Sequence, residues 1–218
     1  MANGPAVIVM ARAPRLGEGK SRLRAVLADQ ERLRLQEAFL RDTVDVALQA
    51  NVGRVYLAIT PPDSTCWAES EFGADLTTLA QVGDNLGQRM FNATQQAVTE
   101  GHRPIIVIGT DAPLLLADHL HAALEALSRA DVCFGPSEDG GYYLVASNKP
   151  QASLFEDVVW GTDQVLKTSL ANADDAGLKC ELLDELYDVD TPEDLERLVN
   201  DLRSAGEDTA RHTRGALL

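Results

Sequence analysis

Basic charge, aromatic rings and cysteine are all scarce in this chain, and each scarcity excludes something. Only 19 residues of 218 are Lys or Arg against 34 Asp or Glu, a formal net charge of −15, and no local run of Lys and Arg offsets it. A surface of that sign repels phosphate backbones, which argues against nucleic acid as a partner. The three cysteines, Cys66, Cys133 and Cys180, are far apart and form no CxxC or Cys/His cluster. They are therefore read as small core hydrophobes in a reducing compartment rather than as a disulfide framework or a zinc site. Long apolar runs are missing too. The N-terminal run Ala6–Met10 is too short for a signal core or a membrane span, so a cytoplasmic protein with no membrane partner is expected.

A hydrophobic content of 45% over this length is enough for one α/β domain. Short β-rich runs alternate with helical stretches at Ala6–Met10, Arg54–Thr60, Leu76–Val82, Ile105–Gly109, Val132–Gly135, Tyr142–Ala146 and Lys179–Leu183. That alternation predicts a mostly parallel sheet with crossover helices. The longest helix is predicted over Asp29–Ala50. The best-marked one has Thr191 as N-cap, Pro192 at its first position and Asp194 completing a capping box. Residues 1–204 are read as the domain, and 205–218, polar and without periodicity, as a flexible tail.

Four segments carry chemistry. The first, Ala11 to Leu23, follows the first strand, where α/β folds bind phosphates. Gly17 and Gly19 permit sharp turns that expose N–H groups, and Arg12, Arg15, Lys20 and Arg22 form the densest cationic cluster of an acidic chain. Gly19-Lys20-Ser21 matches only the end of a Walker A loop, because Pro14 stands where its first glycine belongs. The second segment ends an apolar strand at Asp111, a carboxylate placed to hold Mg²⁺ or Mn²⁺ against a diphosphate. Turn capping is an equal alternative for it. In the third, Asp188 and Asp190 alternate before the capped helix and point the same way in an extended chain, Asp190 being the stronger metal candidate. The fourth, Phe134 to Leu144, contains Asp139-Gly140-Gly141, which alone reads as an ordinary hairpin turn. The four histidines and the Asn92-Ala93-Thr94 sequon lack the context for a function.

In this order, the segments Ala13-Pro14 with Gly19-Lys20-Ser21-Arg22-Leu23, Gly83 to Met90, Gly109 to Pro113, Asp139 to Leu144, Trp160-Gly161-Thr162 and Asp188 to Leu195 resemble a GT-A-like transferase family. Its members are arsenosugar-biosynthesis-type glycosyltransferases, related to 2-phospho-lactate guanylyltransferases and molybdenum-cofactor nucleotidyltransferases. The chain departs from the commonest family pattern at Glu18 and Gly161. The resemblance implies a single-domain, Rossmann-like three-layer sandwich with a seven-stranded sheet. It implies metal ligation by Asp111 and Asp190, with Mg²⁺ or Mn²⁺ as the divalent cation. It places Ala11, Gly17, Gly19, Lys20, Arg22, Gly87 and Arg89 on the nucleotide and its phosphates. Gly140, Gly141 and Trp160 would shape the pocket for a small-molecule acceptor, with core packing an equal alternative for Trp160. Asp139 is the candidate general base. The leading expectation is glycosyl transfer from a nucleotide-sugar. The alternative is nucleotidyl transfer from a nucleoside triphosphate with release of pyrophosphate, and a non-catalytic nucleotide-binding scaffold is a third. A homodimer is left open.

Overall fold

The computed structural model describes residues 3–218. All seven apolar runs form strands: β1 (Ala6–Arg12), β2 (Arg54–Thr60), β3 (Thr77–Ala80), β4 (Ile105–Ile108), β5 (Val132–Pro136), β6 (Tyr142–Ser147) and β7 (Cys180–Leu182). They make one sheet in the order β3-β2-β1-β4-β6-β5-β7. Only β6 runs against the others, pairing antiparallel with both β4 and β5. The link between β5 and β6 is too short for a crossover helix, so the pair closes as a hairpin. The expected mostly parallel α/β sandwich is the observed fold.

The helices are α1 (Asp29–Gln49), α2 (Thr65–Phe72), α3 (Leu86–Thr99), α4 (Ala117–Ala126), α5 (Val165–Asp175), α6 (Pro192–Ser204) and α7 (Arg211–Leu217). Side chains alternate across a strand, and β1 feeds both layers. Val7 and Val9 join the cluster of Leu40, Val44 and Leu120 from α1 and α4. Ile8 and Met10 join that of Met90, Ala93 and Ala97 from α3. Central strands buried on both faces have to be apolar, as β4 is throughout and β1 is up to Ala11, before the exposed Arg12 at its end.

A third cluster positions chemistry. Leu35 and Phe39 of α1 pack with Leu23, Tyr187, Val189 and with Leu195 and Leu198 of α6. This packing pins the chain just before α6 beside the C-terminal end of the sheet. The cap itself forms as its sequence predicts: Thr191 Oγ1 accepts from the Asp194 N–H at 3.2 Å, and Asp194 Oδ2 accepts from the Thr191 N–H at 2.8 Å.

The C-terminal segment differs from the expected flexible tail. Residues 211–217 form α7, docked on α1 through the buried carboxylate of Asp42, which accepts from the N–H groups of His212 and Thr213, each at 2.8 Å. Seven residues are too few to show a helical period, and the partner that satisfies their N-terminal N–H groups lies about 170 residues away in sequence. The cysteines are free. Cys133 is buried as expected and Cys180 half-buried, but Cys66 on α2 is exposed. Among the described residues no helix is long and apolar enough to cross a membrane.

Candidate active site

A cavity of about 530 Å³ opens at the C-terminal ends of β1 and β4 and beside the start of the antiparallel β6, on the sheet edge where α/β folds bind ligands. Of the residues singled out in the sequence, Ala11, Gly19, Lys20, Arg89 and Asp111 line it from the N-terminal half. Asp139, Gly141, Trp160 and Asp190 line it from the C-terminal half. Four others lie off the wall. Gly17 turns away and its carbonyl accepts from Arg24 Nη2. Arg22 is largely exposed, its Nη1 4.0 Å from Asp190 Oδ2 at the mouth. Gly140 is held in the hairpin loop, where its carbonyl accepts from the Leu166 N–H. Gly87 underlies the cavity, so close to Trp160 that a Cβ would come within 2.8 Å of its Cζ2 and of Phe155 Cβ.

Lys20 is the centre of the site. Its side chain is only 6% exposed, and its ammonium forms an ion pair with Asp111 Oδ1 and another, at 3.0 Å, with Asp190 Oδ1. Gly19 delivers it there in a left-handed turn (φ +65°), with Gln36 so near that a Cβ would meet its Oε1 at 2.1 Å. Burial works against the ammonium, but the two carboxylates outweigh it and hold the Lys20 pKa above its usual value. The two acids meet because the Val189 N–H donates to the Asp111 carbonyl at 2.9 Å, tying the segment before α6 to the end of β4. Asp194 adds a second tie by accepting from the Asp190 N–H at 3.1 Å.

Asp188 also lines the cavity, so both alternating acids reach it. Burial, followed by the charges of Asp111 and Asp139, pushes its carboxyl up to about 7. Asp111, Asp139, Asp188 and Asp190 thus line one cavity, and the two that pair with Lys20 form an acidic spot that favours a cation. Asp111 and Asp190 already share one, the Lys20 ammonium, which shows that a single positive centre can touch both. Among the described residues no group of three or more His, Cys, Asp or Glu converges as a self-contained metal site. A hard cation held by one or two carboxylates, with water and ligand oxygens completing its shell, suits such a pair.

Asp139 makes the hydrogen bond of a turn: its Oδ1 accepts from the Gly141 N–H at 2.8 Å. Trp160 both lines the cavity and packs in an aromatic group with Tyr142 and Phe155. Every Lys or Arg on the cavity wall, Arg12, Lys20 and Arg89, comes from the N-terminal half of the chain.

A family model described as "Uncharacterized protein conserved in bacteria (DUF2064)" matches residues 43–162, more than half of the chain. The chain belongs to the DUF2064 family. This DUF2064 chain is also 27% identical over 186 residues to the 2-phospho-L-lactate guanylyltransferase of Methanosarcina barkeri, covering 83% of this chain and 80% of that protein. It is 28% identical over 175 residues to the phosphoenolpyruvate guanylyltransferase of Chloroflexus aggregans, covering 78% and 83%. A solved structure from Desulfovibrio desulfuricans G20, described as a nucleotide-diphospho-sugar transferase, superposes with a TM-score of 0.89 at 26% identity, covering 99% of this chain and 95% of that one. The DUF2064 chain is a transferase. The curated relatives favour the nucleotidyl-transfer alternative over the glycosyl transfer that the sequence put first.

Proposed function

We propose that this DUF2064 protein transfers a nucleoside monophosphate, GMP from GTP, to a small phosphorylated acceptor, releasing pyrophosphate. The observation that carries the reading is the convergence of Asp111 and Asp190 on one cation inside a nucleotide-sized cavity. Guanine as the base, and a phosphorylated acceptor, come from likeness to relatives named guanylyltransferases over about four-fifths of both chains.

In this reaction an acceptor phosphate oxygen attacks the α-phosphorus, the new P–O bond forms, and the bond from that phosphorus to the α,β-bridging oxygen breaks. Pyrophosphate departs with the electron pair. Asp111 and Asp190 would hold Mg²⁺ or Mn²⁺, which would neutralise part of the charge on the phosphates when bound. Lys20, released from the carboxylates, and Arg12 and Arg89 meet the remaining negative charge. Gly19 and the Ala11 backbone bound the space for the phosphates, with Arg22 at the mouth. Trp160 and Gly141 wall the acceptor side. A phosphate nucleophile has no proton to lose, so Asp139 acts as turn support and not as a base.

The test supplies GTP, Mg²⁺ or Mn²⁺, and phosphoenolpyruvate or 2-phospho-L-lactate, and follows pyrophosphate. Acceptor-dependent pyrophosphate release is expected. A second reading, glycosyl transfer, keeps support from the Desulfovibrio likeness and from an acceptor side without Lys or Arg. Release of a nucleoside diphosphate from a nucleotide-sugar, without pyrophosphate from GTP, would replace the first reading with the second.

A further inference from the structure

Gln81 follows β3, belongs to none of the motifs above, and lies on the cavity wall with only 8% of its surface exposed. Its backbone N–H donates to the Ile59 carbonyl at 2.9 Å, continuing the sheet for one more rung. Its side-chain Nε2 donates to two backbone carbonyls, Ala11 O of β1 at 2.9 Å and Ala58 O of β2 at 2.8 Å. Those two bonds use both amide hydrogens. They also fix which end of the amide is which, since an oxygen turned toward two carbonyl oxygens would be repelled.

What remains is Oε1, a bare acceptor with no donor among the described residues. Such an atom repels a phosphate oxygen, so the partner it suits is an uncharged part of the donor that presents an N–H. Apolar side chains of Met10, Leu86 and Met90 line the same cavity and offer apolar surface against which a purine ring can lie. We infer that Gln81 reads the nucleobase of the donor, its Oε1 accepting from the N1–H of guanine. The choice of guanine rests on the guanylyl-transfer reading; the acceptor role of Gln81 rests on its own two hydrogen bonds.

The residue acts on specificity. A buried acceptor left unpaired by the wrong base costs affinity, whereas the chemistry at the α-phosphorus is untouched. The test measures wild-type Kd values for GTP, 2′-deoxy-GTP and 1-methyl-GTP, which lacks the N1–H, and repeats them with Gln81→Met, a side chain of similar length without the acceptor. For the wild type, 1-methyl-GTP is expected to bind about tenfold more weakly than GTP. In Gln81→Met that difference shrinks to within about twofold, and KM for GTP rises by a larger factor than kcat falls.

Equal wild-type binding of GTP and 1-methyl-GTP overturns the proposal, and that arm does not depend on the variant folding. Discrimination that persists in Gln81→Met overturns it as well, as does a variant that loses selectivity against the 2′-deoxy sugar instead. If GTP binds but never yields pyrophosphate, the guanylyl-transfer reading fails alone, and the same comparison with GDP and 1-methyl-GDP still tests Gln81. If no guanine nucleotide binds, the guanine assignment falls.

Discussion

Replacing Lys20 by Met is expected to make the free enzyme bind Mn²⁺ more tightly, although it removes a residue that should help hold the nucleotide. The ammonium occupies the point that Asp111 and Asp190 share, so a metal ion held by both would have to displace it. At about 3 Å and an effective dielectric near 20, each ammonium–carboxylate pair amounts to roughly 5 kcal/mol before screening. Asp111 and Asp190 are 55% and 45% exposed, which reduces each contact to the order of 1 kcal/mol. Together they represent an opposing term of about 1–2 kcal/mol, or roughly tenfold in Mn²⁺ affinity.

When the donor binds, its phosphates would give Lys20 another anion and free Asp111 and Asp190 for a cation, so wild-type metal and nucleotide should bind cooperatively. By linkage, each must tighten the other by the same factor. Lys20→Met should lose most of this coupling: Mn²⁺ binds well alone, GTP binds poorly, and neither helps the other as much. Free Mn²⁺ measured by electron paramagnetic resonance, with and without GTP, reads both affinities without any turnover. A Lys20→Met protein that keeps the wild-type melting temperature yet binds Mn²⁺ no more tightly in the absence of nucleotide would refute the displacement reasoning.

The other expectations concern the site, its support and the fold. Asp111→Asn and Asp190→Asn should each lower turnover by roughly 10²–10³ and leave the free-Mn²⁺ signal undiminished by added protein; near-normal turnover in both would remove the metal from the chemistry. Gly87→Ala should lower stability by about 1–3 kcal/mol, because its methyl meets Phe155 and Trp160 at 2.8 Å, and thermal unfolding would read it. Asp42→Ala strands two N–H groups at the start of α7 and should cost about 2–3 kcal/mol. Limited proteolysis should then clip the C-terminus, and an uncut chain would contradict the docking. Glu138 is bridged twice by Arg197, at 2.7 and 2.9 Å, which holds its carboxyl below the usual carboxylate value. A lowered folded pKa contributes stability above the unfolded value and loses it as pH falls through the folded one. Both groups are half exposed, so Arg197→Met should cost less than about 1 kcal/mol near pH 7 and progressively less as pH drops below about 4. A melting difference that stayed constant into acid would exclude the pair as its source.

The sheet was legible because its signals are local. Each apolar run is bounded by turn residues, and the last helix announces its own start in Thr191-Pro192 and Asp194. The capping acid showed a limit of the same reading: Asp194 does serve the cap, and through the Asp190 N–H it also orients the carboxylate beside it. Helix α7 was illegible for the opposite reason. Its stabilising partner is a buried carboxylate on α1, and nothing in 205–218 hints at it.

The site divides along the same line. A glycine turn marked Lys20, a strand end Asp111, and the alternation of acids before the capped helix Asp190, but no motif says that the first would stand between the other two. That arrangement depends on Phe39, Tyr187 and Val189 packing in one cluster and on the Val189 N–H reaching the Asp111 carbonyl. Nothing in the sequence distinguishes Gln81, because a glutamine at a strand end is most often solvated. Its meaning appears only once Ala11 and Ala58, from two other strands, are seen to take both of its hydrogens. A charge can be recognised from its own letter in the sequence, whereas an oriented amide is defined by the carbonyls it faces. Specificity residues of this uncharged kind are therefore the part of a nucleotide site that sequence patterns are least able to reveal.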